Sequence, residues 1–266
     1  MDKEELKKLA DDPNNIPGIY NYCDRWCERC PFTSRCLNYK MSAEKFGDQE
    51  HLDVNHTAFW EKLTETLHET LDLLKEMAEE QGIDLNSFEA EDTEAHRGEL
   101  EDNNVVHVIL HQSKYYVTMV DEWFKNDIYM VDADTDPSDL DRFSSSMDSL
   151  SEKDTVTMKD NVEVIRWYQH QIYVKLRRAL KSAQMEKKEN WYDDQKDSDG
   201  SAKVALIGID RSISAWGKIL TYFPWQEKKI VNMIAYLKRL CKIIENEFPD
   251  ARAFLRPGFD KMTTGS

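Results

Sequence analysis

Four cysteines fall within fourteen residues near the start of the chain: Cys23, Cys27, Cys30 and Cys36, in YCDRWCERCPFTSRC, spaced C-x3-C-x2-C-x5-C. No other feature constrains the fold as tightly, because four thiols this close must either pair or share a metal. Disulfides need an oxidising compartment. The opening MDKEELKKLADD is too polar for a secretory leader, which predicts a soluble, cytoplasmic protein with reduced thiols. A metal centre is then the expectation, with all four cysteines as ligands. Structural zinc usually draws short Cys pairs from two separate turns. Here one continuous segment supplies every ligand, the habit of iron–sulfur loops, so a [4Fe–4S] cluster leads and zinc (Zn) stays open as the alternative. Tyr20, Tyr22, Trp26 and Phe32 would wall the centre, and Arg25, Arg29 and Arg35 would offset its charge. Cys241 sits in an apolar helical pattern with Leu237 and Ile244 and reads as core.

The CERCPFTSRC part, C-x2-C-P-x4-C, resembles the iron–sulfur loop of endonuclease III-type DNA glycosylases. The first spacing departs, x3 here against x6 there, and that family's helix-hairpin-helix and basic character are missing. The resemblance implies a ligand arrangement and no glycosylase activity. Cys23, Cys27 and Cys30 alone also match the C-x3-C-x2-C of radical S-adenosylmethionine enzymes. A chain with almost no strand-like alternation, and with Cys36 placed to fill the open iron, does not suit that barrel fold. The motif together with a downstream ALIGIDRSISAW is similar to a set of uncharacterised bacterial all-helical proteins, which implies a fold and no catalytic residues.

The remainder of the 266 residues carries only 9 Gly and 7 Pro, too few for many strands and turns. Apolar residues recur at three and four along five stretches. These predict helices from Thr57 to Gln81 with a stop at Gly82, from about 102 to 126, and from Met158 to Glu189. A fourth starts at an Asp199 or Ser201 cap and is closed by Pro224, and a fifth runs from Gln226 to Glu247. Residues 84–101 and 132–154 are acidic, aperiodic connections. The expected fold class is all-α: a helical bundle of about five main helices with an N-terminal Cys-rich metal-binding loop. Its parts are a metal-binding segment (1–45), a bundle (55–250) on which that segment packs, and a C-terminal tail (251–266).

The net charge of −16 repels phosphate backbones, so nucleic acid is not an expected partner. No apolar run approaches the ~20 residues of a membrane span. A redox protein partner or a homo-oligomer fits better. Two further sites come from helical spacing. Glu65 and His68 form a Glu-x-x-His pair, His107 and His111 share a face, and so do Glu163 and His170; a second metal site would need them to converge. Asp210 and Arg211 interrupt an otherwise apolar helix. They imply either a salt-bridge network to Glu163, Arg166 or Lys175, or a polar pocket with Ser214, Trp216, Trp167, Tyr168 and His170 for a small anion. Three functions follow: an iron–sulfur protein in electron transfer or sensing, a zinc-stapled structural or interaction protein, and a bundle metalloenzyme or anion-binding protein.

Overall fold

The computed structural model describes residues 8–45, 57–80, 82, 104–126, 151–189 and 195–260; a few helical side chains, His107 among them, lie outside that description. Among the described residues there is no strand. The helices are α1 (Leu37–Lys45), α2 (Thr57–Glu80), α3 (Asn104–Asn126), α4 (Glu152–Lys188), α5 (Asp197–Tyr222) and α6 (Glu227–Glu247). The five long ones correspond to the five periodic stretches, and the all-α class holds. The connections expected at 84–101 and 132–150 lie outside the described residues.

Boundaries moved where capping chemistry overrode periodicity. α4 begins six residues before Met158 because Ser151 Oγ accepts from the Asp154 amide at 3.2 Å, while its hydroxyl donates to Asp154 Oδ2 at 2.6 Å. α5 has Lys196 at its N-cap, not Asp199 or Ser201, and that residue's side chain caps nothing. The missing cap comes from another helix: Glu186 of α4 accepts from the Ser198 amide at 2.9 Å and from its hydroxyl at 2.6 Å. Beside it Asp197 takes Arg178 at 2.5 Å and Ser182 at 2.6 Å. α5 ends before Pro224, which opens a short 3-10 turn leading straight into α6.

The chain divides into two compact units, residues 1–99 with 256–266, and residues 100–255. In the second, α4 lies along α5 over the most extensive interface, α5 packs on α6, and α3 closes the ring by touching both α4 and α6. This is a four-helix bundle. The unit boundary thus places α2 with the cysteine segment and leaves four of the five long helices to close this bundle. The bundle core is built on aromatic residues: Tyr116, Trp123, Tyr168 and Trp216 are fully buried. Trp123 meets Trp216 edge-on at 4.7 Å, and Trp216 Nε1 donates to the Tyr116 hydroxyl at 3.0 Å. Gln169 of α4 donates to Asp121 of α3 at 2.5 Å, giving a polar tie between two apolar faces.

Residues 251–260 are folded rather than a tail. Ala251 and Phe254 are buried, Lys203 donates to the Phe254 carbonyl at 2.5 Å, and the Leu255 amide donates to Gln195 at 3.0 Å. In the first unit, Gly82 ends α2 as expected, its amide donating to the Glu79 carbonyl at 3.1 Å. Leu67 and Leu71 of α2, members of its apolar three-and-four repeat, are exposed at 57% and 51%, whereas Ala78 is buried. No described helix is long and apolar enough to cross a membrane.

Candidate metal centre

The cysteine segment is stitched by short-range hydrogen bonds rather than by a long helix. Two 3-10 turns, Cys27–Arg29 and Thr33–Arg35, each end on a cysteine whose amide closes the turn: Cys30 N–H to the Cys27 carbonyl at 3.1 Å, and Cys36 N–H to Thr33 at 3.2 Å. Asp24 Oδ1 accepts from the Trp26 amide at 3.2 Å, and Arg25 between them adopts φ 58°, a left-handed turn rare for arginine. The segment before it acts as a strap. The Ile16 amide donates to the Arg35 carbonyl, and Arg35 Nε donates back to the Asn14 carbonyl, both at 3.0 Å. Lys40 of α1 reaches Asp12 at 2.7 Å and Asn15 at 2.8 Å. That contact, with a hydrogen bond from the Asn14 amide, holds the half-buried Asp12 carboxyl below its usual range.

These turns lie around one cavity. Cys23, Cys27, Cys30 and Cys36 line a single cavity whose exposed wall is almost wholly apolar, with Tyr20, Trp26 and Phe259 among its other residues. All five cysteines are free, and the four of the motif are half-buried. Burial raises the Cys27 thiol, and the Cys23 thiol and Glu28 raise it further. Burial raises Cys30 too, against an opposing hydrogen bond from the Phe32 amide, with Cys23, Asp24 and Cys36 adding to the rise. Phe32 N–H points at Cys30 Sγ at 3.4 Å, a donor aimed at sulfur. The open space in the cavity is about 20 Å³. Among the described residues, no three of His, Cys, Asp or Glu are gathered tightly enough for one ion.

Two expected neighbours of the cysteines take other roles. Arg35 is turned toward Asn14, and Arg29 stacks on the Trp26 ring at 3.9 Å. Phe259, from the far end of the chain, is the contributor that helical spacing could not reveal. It packs edge-on against Phe32 at 5.1 Å and is carried by a turn at Pro257-Gly258. Gly258 sits at φ +77°, and a Cβ there would stand 2.9 Å from Ile16 and 3.0 Å from Ile19. The Pro-Gly pair ahead of an aromatic was the available signal for a turn.

The other candidate sites do not assemble. Glu65 and His68 are exposed on α2, and His111, Glu163 and His170 are exposed on α3 and α4. A bundle metal centre needs its ligands facing the core, and these face water. The side chain of His107 lies outside the described residues. Asp210 and Arg211 are exposed on α5. Trp216 and Tyr168 are core residues, while Ser214 and His170 face outward. Arg211 donates to the Tyr168 hydroxyl. Asp210 pairs with Arg252 at 2.5 Å, and Arg252 also holds Glu245 at 2.9 Å and meets Cys241 Sγ at 3.3 Å. Asp210 thus sits in an ion pair whose partner, Arg252, helical spacing did not offer, and Arg166 lies over the Phe124 ring at 4.2 Å. Cys241 is correspondingly half-buried beside a charge, not enclosed in the core. No family model, curated protein or solved structure matches the chain.

Proposed function

We propose that Cys23, Cys27, Cys30 and Cys36 hold one inorganic centre, a [4Fe–4S] cluster serving electron transfer or redox sensing. The observation that carries this reading is the convergence of all four thiols, from one continuous segment, on a single apolar cavity. A tetrahedral zinc holds its sulfurs only about 3.8 Å apart, as Zn–S bonds of about 2.3 Å require. A cubane presents its irons at the corners of a box and takes its thiolates from further apart than a single zinc ion does. The Phe32 amide at Cys30 supplies the kind of N–H that stabilises a ligating thiolate. The likeness of C-x2-C-P-x4-C to the glycosylase iron–sulfur loop points the same way. When bound, such a cluster supplies one-electron chemistry. The aromatic residues around the cysteines exclude water from it.

Zinc is the second reading, favoured by one observation: about 20 Å³ of open space suits one ion better than a four-iron core. Elemental and sulfide analysis of anaerobically purified protein separates the two. The cluster reading predicts about four iron and four sulfide per chain with absorption near 400 nm, all lost in Cys27→Ser. Stoichiometric zinc without sulfide would establish the alternative, and protein free of both metals would overturn both.

A further inference from the structure

At one end of the bundle a cleft of about 370 Å³ opens beside the last turn of α4, the first turn of α5 and the end of α6. That volume lies in the range of small-molecule sites. Four carboxylates line it, Glu186, Asp199, Glu247 and Asp250, against two ammonium groups, Lys187 and Lys196. A helix N-terminus ordinarily attracts an anion. Here the α5 terminus is already satisfied by Glu186, and Asp197 is held by Arg178 and Ser182, so no anion is needed. The α4 and α6 ends at the cleft are C-termini, whose free carbonyls favour positive charge.

Asp199 is the informative residue. It is only 7% exposed and lines the cleft, yet among the described residues it makes no side-chain hydrogen bond or ion pair. A buried carboxylate in that position costs free energy unless something neutralises it. Burial and the nearby Asp250 push its pKa up, and Lys196 opposes them without reaching ion-pair distance. Among the described residues no three acidic side chains are gathered for one metal ion. Carboxylates interleaved with the apolar Ala183, Phe248 and Pro249 match spaced ammonium groups on an aliphatic chain.

We infer that this cleft binds a linear aliphatic polyamine, with Asp199 receiving one ammonium group inside and Glu247 and Asp250 receiving another at the rim. The assignment is independent of the cysteine centre. Spermidine titrated calorimetrically into the full-length protein at physiological ionic strength is the test. One saturable site is expected, weakened about tenfold or more in Asp199→Asn and in Asp250→Asn, as loss of a charge-assisted contact implies. Glu227→Gln, an exposed acid on α6 outside the cleft, is expected to bind as the parent does. Asp250 is exposed, so its variant carries the test should Asp199→Asn fail to fold. Absence of saturable binding, parental affinity in a folded cleft variant, equal weakening in Glu227→Gln, or equally tight competition by Mg²⁺ would each overturn the assignment.

Discussion

Tyr116 shows how one side chain links core packing to pH. Its hydroxyl is wholly buried and accepts the Trp216 indole proton, and burial pushes its pKa up to about 12. The unfolded chain releases that proton near pH 10 while the native state keeps it, so stability falls as pH rises from about 10 to 12. A two-unit shift corresponds to a loss of about 2–3 kcal/mol over that window. Tyr116→Phe is expected to cost about 1–3 kcal/mol at pH 7, because the Trp216 N–H is left without its acceptor. The same variant is expected to flatten the alkaline decline, and urea unfolding of both proteins at pH 7 and pH 11 measures both effects. Tyr116 was readable as an inward position from its spacing with Val120 and Ser113. Its hydrogen bond to a residue a hundred positions away was not, because spacing along one helix carries no information about its neighbour.

Among the elements, the helix faces were legible and the ends were not. Ile230, Met233, Leu237, Leu240 and Ile244 of α6 are buried as their period requires. The start of α5 depends on Glu186, eleven residues before it and on another helix, a cap that no local pattern announces. Removing that carboxylate with Glu186→Ala is expected to lower stability by about 1 kcal/mol, the usual worth of an N-cap. Thermal unfolding followed by circular dichroism is the check, with hydrogen exchange at the first turn of α5 rising in parallel. The Glu-x-x-His pair on α2 and the Glu163 and His170 spacing on α4 lie on exposed faces for a related reason. Spacing places two groups on one face but does not decide whether that face meets the core or water.

Across the whole molecule, the chain's two ends build one unit. The cysteine segment was evident from its composition alone, whereas Phe259 came from residues expected to be a C-terminal tail. Aromatic residues that cover a metal centre slow its loss to solvent. Phe259→Ala is therefore expected to speed metal removal by a chelator several-fold, with the melting of the 100–255 bundle unchanged. Stopped-flow absorbance with excess chelator measures the first, and calorimetry the second. The central claim is that four sulfurs share a single inorganic core, and X-ray absorption at the metal edge tests it most directly. An all-sulfur shell around iron with iron–iron scattering, absent from Cys27→Ser, is the predicted result. Nitrogen or oxygen neighbours in place of that sulfur shell, or purified protein that carries no metal, would contradict it.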